Sequence, residues 1–333
     1  MSSLRIYFSH LCACFLLSTG LAFKLAATEI PQEKQDAIDK QLLFLDYTHD
    51  FVSKKMYAPV AWFDNFFSDD RVLDEAPVTS ALRVCSDLRF AEGGQVSLHT
   101  FLHANIRLPK ANKKLKLIIS DENEDSVDIL PGEIVKTGFE QIKEVERVNV
   151  GLRYNVIYTM VSKLHFGAGM KADIPLAPYI RAHYGRIFPM TSASQARFTG
   201  NIIWQRIVGW KRTAQIDVEK LFSKTTLLRW SNSIAFEDPD VNYGWNSSIG
   251  FQHQLSGRNA LSYSVSMSGY DDNGLEISSY RIGVRFRRNF YKDWLFYEIG
   301  PENSWPRDEY GRYLPVAAIT FRLEAQFGYK PGK

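Results

Sequence analysis

The chain has 333 residues, with 40 Lys and Arg against 37 Asp and Glu, 45% hydrophobic residues and a mean hydropathy of −0.22. This balance excludes a disordered chain and a bundle of membrane helices, because outside the N-terminus no apolar run approaches the roughly 20 residues that a membrane helix needs. Aromatic residues make up 14%, which leaves a protein folded in water or one that crosses a bilayer by strands.

Arg5 precedes the apolar run from Leu11 to Phe23, and small residues stand at Gly20, Ala22, Ala26 and Ala27. That order predicts a secretory signal peptide over residues 1–27, cut between Ala22 and Ala27. Of the 3 Cys only Cys85 lies beyond it, so the mature chain has no internal disulfide.

Residues 28–79 form an acidic lead with 11 acids and 5 bases. Ile38, Leu42, Leu45 and Val52 recur at loosely helical spacing, and the aromatic cluster Trp62-Phe63-Asp64-Asn65-Phe66-Phe67 follows. The stretch has too few apolar residues for a core of its own. It is expected in the periplasm or inside a barrel as a plug, with the aromatic cluster as a packing anchor.

From residue 80 to 333 the hydrophobic period is 2. Alternation marks segments 82–90, 96–108, 115–120, 148–156, 163–171, 178–186, 197–205, 210–218, 226–236, 245–255, 261–269, 280–287, 295–302 and 313–327. The connections alternate as well. One set holds the longest and most acidic stretches, such as 121–147, 237–242, 270–276 and 301–312; the other set is short, as in 256–259 and 288–293. Long loops at one end and tight turns at the other predict an all-β fold, a transmembrane antiparallel β-barrel of about 14 strands within a range of roughly 12 to 16, with a partly helical N-terminal segment. A soluble sheet would need a second layer over its apolar face. In the clearest segments no Asp, Glu or Lys falls on that face, where a charge near the bilayer midplane costs roughly 2–4 kcal/mol. Asn232, Arg212 and Arg186 fall on the outward phase of weaker segments. The stretch Tyr313 to Phe327 alternates throughout and ends in an aromatic. It resembles the terminal strand of bacterial outer-membrane β-barrels, although residues 328–333 follow it here. The resemblance implies the cell outer membrane as location, outer-membrane lipids as surroundings, and the barrel-assembly machinery as a partner through the strand ending at Phe327.

The inward phase is the informative one. It carries the bases Arg83, Arg89, Arg107, Arg153, Lys163, Lys171, Arg181, Arg197, Lys211, Arg229, Arg281, Arg285, Arg287 and Arg322, with His99, His103, His165 and His183. Asp87, Asp217, Glu298 and Glu324 are the carboxylates expected against them. Such a lining predicts a passive pore for small, preferentially anionic solutes. The second reading is a closed structural or surface-interaction barrel plugged by residues 28–79. An outer-membrane lipid hydrolase is third: Ser97 and His99 share a face with Asp87 on the neighbouring segment, but no oxyanion donor is evident. On a strand His99 and His103 stand about 13 Å apart and cannot share a metal ion. Arg281, Arg285, Arg287 and Arg288 lack the interleaved aromatics of a nucleic-acid surface. No catalytic residue, metal, cofactor or nucleic-acid partner is expected.

Overall fold

The computed structural model describes residues 59–60, 62–64, 66–67, 81–107, 114–120, 149–159, 161–172, 176–206, 209–237, 242–270 and 276–328. The expected signal peptide, the helical stretch of the acidic lead and the connection 121–147 lie outside them. The fourteen strands are β1 (Ala81–Ala91), β2 (Gln95–Arg107), β3 (Leu115–Ser120), β4 (Asn149–Tyr158), β5 (Ser162–Lys171), β6 (Ala177–Thr191) and β7 (Ser194–Gln205), followed by β8 (Gly209–Ser223), β9 (Thr226–Glu237), β10 (Asn242–Ser256), β11 (Asn259–Tyr270), β12 (Ser279–Tyr291), β13 (Leu295–Pro306) and β14 (Val316–Phe327). Each pairs antiparallel with its neighbours in sequence, and β14 returns to β1, from Leu82 opposite Phe327 to Ala91 opposite Ala318. The sheet is a closed barrel.

Side chains alternate between two phases, as period-2 geometry requires. On one phase Leu98, Leu152, Ile180, Ile216, Ile249, Val265 and Leu323 stand 46–68% exposed. On the other, Asp217, Glu219, Arg229, Arg287 and Glu324 are at most 1% exposed. An apolar exterior around a charged interior inverts the order of a protein folded in water. In lipid it is the required order: closure leaves no unpaired edge, and the apolar phase faces acyl chains. A strand of 12 residues, such as β7, tilted by about 40°, rises about 30 Å, enough to cross the hydrocarbon.

Several strands outrun their apolar alternation. β6 reaches Thr191, β8 reaches Ser223 and β13 reaches Pro306, each beyond the stretch whose alternation marked it. The hydrogen-bonded ladder continues past the acyl region, where outward side chains turn polar, as at Lys220, or where Pro189 and Pro301 break the sequence pattern. β14, in turn, begins at Val316 instead of residue 313, because Tyr313 belongs to a loop bridge with Arg307. Arg186, Arg212 and Asn232 do lie on the outward phase, with no break in register around them. The five register shifts in the ladder, at Asn155/Ile157, Pro189/Thr191, Leu221/Ser223, Gln254/Ser256 and Asn289/Tyr291, all fall at the short-turn end. Each is a bulge that sharpens the local twist where the chain reverses.

Glycine shapes the wall at β4 to β6. Gly151, Gly169 and Tyr179 are register partners in one row, and the Tyr179 ring lies across both glycines. A Cβ at Gly169 would stand 2.7 Å from Tyr179 Cζ and would also strike the Val150 carbonyl oxygen, which cannot yield without moving the ladder. Gly169→Ala should therefore destabilise the barrel by about 1–3 kcal/mol, seen as a lower temperature of conversion from the compact to the unfolded band on unboiled gels. Gly257→Ala, with nothing within 4 Å of the added methyl, should change that temperature little.

Candidate functional site

Ladder register decides which interior charges meet. On one side the inward row Arg287, Glu298, Arg322, Asp87 and His99 crosses β12, β13, β14, β1 and β2, and its first four members alternate in sign. Arg322 donates from Nε and Nη2 to the two oxygens of Asp87 at 2.7 and 2.6 Å, the bidentate geometry a guanidinium favours. Arg287 Nη1 donates to Glu324 Oε2 at 2.9 Å and stands 3.5 Å from Glu298 Oε2, while Arg285 Nη1 is 3.7 Å from Glu298 Oε1. Gln326 Nε2 donates to the second Glu324 oxygen at 2.7 Å, and Arg89 pairs with Glu302. The Arg287 guanidinium also covers the Phe296 ring, 4.5 Å from its centroid. This half of the wall is stitched by charge.

The opposite half is composed differently. The row 107, 116, 153, 167 and 181 crosses β2 to β6 and reads Arg, Lys, Arg, Gly, Arg. No Asp or Glu occupies an inward position on β2 to β7. Gly167 makes room for Arg181: a Cβ there would meet the Arg181 Cγ at 3.1 Å. Two residues along, His165 and His183 are stacked with ring centroids 4.5 Å apart and an 11° interplanar angle, and His183 Nδ1 hydrogen-bonds Asn201 Oδ1 at 2.6 Å. A third row places Arg83, His103, Asn149 and Lys171 together, with Arg83, His103 and Asn149 buried. Lys163 lies beside the Tyr158 ring, 5.9 Å from its centroid. Arg281 faces inward between Ser266 and Ser304. The side chain of Arg107 lies outside the described residues, so its place is one of register alone.

Between the two halves sits the described part of the acidic lead. It is helical up to Phe66, with Phe67 N donating to Phe63 O at 2.9 Å. Val60, Phe63, Phe66 and Phe67 form an apolar cluster with Leu227, Ala260 and Phe296 of the inner wall. Asp64, 1% exposed, pairs with Arg229 and stands 3.4 Å from Arg197 Nη2. Arg229 Nε donates to Glu219 Oε1 at 2.8 Å, and Gln195 Nε2 to Glu219 Oε2 at 2.6 Å. Gln215 and Ser231 both donate to Asp217 Oδ1, at 2.8 and 2.6 Å.

Three interior charges stand where the alternation of the sequence did not place them. Glu219 and Glu302, expected in connections, are inward strand residues, because β8 and β13 continue beyond their apolar alternation. Lys116, whose strand is only six residues long and gives too short a period to fix its phase, faces inward opposite Arg153. Lys211, at the long-loop end, pairs with Glu237 at 2.7 Å. Asp87 and His99 are register partners and Ser97 stands two residues along, but both Asp87 oxygens accept from Arg322. Among the described residues no group of three His, Cys, Asp or Glu side chains is arranged to hold a metal.

No family model matches the chain, and no curated protein matches it. Among solved structures, the barrel is similar to the outer membrane channel DcaP of Acinetobacter baumannii, with a TM-score of 0.45, 9% identity, and coverage of 74% of this chain and 96% of that one. It is also similar to the CymD monoaromatic hydrocarbon channel (TM-score 0.46, 7% identity, 80% and 93% covered). A third is an anion-selective porin from Comamonas acidovorans (TM-score 0.44, 8% identity, 75% and 99% covered). Closure, strand count and the apolar exterior make the fold a bacterial outer-membrane β-barrel, located in the cell outer membrane.

At the long-loop rim, two connections are clasped together. Arg307 pairs with Glu276, and Tyr313 Oη donates to the Ile277 carbonyl at 2.7 Å. Within the second loop Asp308 Oδ1 accepts from the backbone of Tyr310 at 2.9 Å and of Arg312 at 2.8 Å, while Arg312 Nε donates to Oδ2 at 2.8 Å; Gly311 closes the turn at φ +78°. These bonds, the Arg312 backbone N–H foremost, hold the Asp308 carboxyl below its ordinary pKa. A carboxyl lowered on folding stabilises the turn above its unfolded pKa, near 4, and that support is lost as pH falls through the lower folded value. Amide exchange at Tyr310 and Arg312 should therefore be protected at pH 6 and lose protection, relative to strand amides, below about pH 4.

Proposed function

We propose that the barrel is a pore for small anionic solutes, which pass along the carboxylate-free wall of β2 to β7. The observation that carries this reading is the row at Arg107, Lys116, Arg153 and Arg181, with Gly167 in the one neutral place and no inward Asp or Glu on six consecutive strands. Rows or rings of fixed Arg and Lys lower the barrier for anions and raise it for cations. The effect grows where low-dielectric walls focus the field. On the other half, carboxylates alternate with the guanidinium groups, so its net field is weaker.

The acidic lead, residues 28–79, narrows this pore in our reading. Its support is the seat of Asp64 between Arg197 and Arg229 and the burial of Phe63 and Phe67 against the inner wall. A segment held at Asp64 by charge and at Phe63 and Phe67 by aromatic packing reduces the open section.

Planar-bilayer recording under a KCl gradient tests both parts. The expected reversal potential is that of an anion-preferring channel, and Asp64→Asn should raise the unitary conductance by loosening the segment. Cation preference, or no channel in either the full-length or the 28–79-deleted protein, would overturn the pore. Unchanged conductance in Asp64→Asn would overturn the narrowing.

A further inference from the structure

The exterior of the short-turn rim carries a charge pattern that the lumen does not explain. Its outward positions and turns hold Lys114, Arg186, Lys220, Lys224, Arg258, Arg288 and Lys292, and among the described residues Asp293 is the one carboxylate beside them. At the other end of the barrel the described outward and loop charges are mixed: Glu92, Glu237, Glu276, Asp308 and Glu309 stand with Arg206, Arg212, Arg307 and Arg312. Among the described residues the excess of bases therefore belongs to one rim.

Their surroundings fit a lipid headgroup. Arg186 lies over Phe188 at 5.4 Å, Lys220 over Phe222 at 5.2 Å and Lys292 over Tyr291 at 5.4 Å, each measured to the ring centroid. Phe188, Phe222, Phe290 and Tyr291 are themselves exposed on the outward phase or in the turn. Aromatic rings belong at the boundary between acyl chains and headgroups, and a long cationic side chain beside them lays its apolar stem on the ring while its charge reaches the headgroup level. Outward phase also keeps Arg186, Lys220 and Arg288 away from the lumen, since inward and outward side chains lie on opposite faces of one sheet. Short turns mark the periplasmic end of a bacterial barrel. The leaflet this rim meets is thus the periplasmic one, built of glycerophospholipids.

We infer that this rim is a binding belt for anionic glycerophospholipids, with Arg186, Lys220 and Arg288 engaging headgroup phosphates and the flanking aromatics fixing the depth of the barrel. The belt is independent of whether the lumen conducts.

Native mass spectrometry of the full-length barrel, released from bilayer discs of equal phosphatidylglycerol and phosphatidylcholine, reads the preference directly. Retained phosphatidylglycerol should exceed phosphatidylcholine by about fivefold or more, and preparation in 1 M salt should bring the ratio close to one. The combined variant Arg186→Gln, Lys220→Gln, Arg288→Gln should lose most of the preference while keeping the heat-dependent gel shift of a folded barrel; Arg212→Gln, at the opposite rim, should keep it. Equal retention of the two lipids by the unaltered protein, or a ratio indifferent to salt, would overturn the inference even if the combined variant does not fold. So would a folded combined variant that retains the preference, or an equal loss in Arg212→Gln.

Discussion

Everything in this fold depends on the seam between β1 and β14. Ten residue pairs join them, from Leu82 and Phe327 to Ala91 and Ala318. In hydrocarbon an unpaired backbone N–H or C=O finds no water, and each such group costs several kcal/mol. An open edge of this length would outweigh the net stability of an ordinary domain, roughly 5–15 kcal/mol. Closing the seam removes the edge and at once assigns every side chain to one of two environments. With Leu82 fixed outward, Arg83 is inward, and the assignment propagates around the barrel through the register of each strand pair.

The interior that results is charged, and its two halves meet the cost of charge differently. Between β12 and β1, Arg287, Glu298, Arg322 and Asp87 alternate along one row, so each guanidinium faces a carboxylate. Burying either member alone would be unfavourable by several kcal/mol, while the pair is close to neutral in stability. Arginine suits this role because its planar fork satisfies two oxygens at once, as Arg322 does with Asp87. Between β2 and β7 the strands hold bases and contribute no inward carboxylate of their own. The acidic lead meets the boundary: Asp64 offers its carboxylate to Arg197, on the last strand of the basic half, and to Arg229.

The sequence made much of this legible. Strict alternation in 261–269, where Leu261, Tyr263, Val265 and Met267 interleave with serines, locates β11 to within two residues at each end. It was legible because one side of that strand faces acyl chains and the other does not. What alternation could not reveal lies where that contrast ends. β8 carries Glu219 inward beyond the apolar stretch, and β13 carries Glu302 past Pro301, so both acids read as loop residues. Lys116 sat in a segment too short to set its phase, and its inward face emerges from its partner Arg153. The seat of Asp64 had no local signal at all, since it depends on two arginines more than 130 residues away in sequence. Individual phases were thus readable, but the sorting of charge into an alternating half and a basic half required the register.

Separating those halves takes one paired measurement: reversal potential and thermal unfolding, recorded for Arg153→Gln and Arg287→Gln. Arg153 belongs to the basic row, so its loss should shift the reversal potential toward neutrality. Arg287 is fully buried between Glu298 and Glu324, so its loss takes from Glu324 its partner at 2.9 Å and from Glu298 one of the two guanidinium groups beside it. That should lower stability by roughly 3 kcal/mol while barely moving selectivity. Equal effects of the two variants on both quantities, or the reverse assignment, would contradict a lumen divided into a conducting half and a structural half.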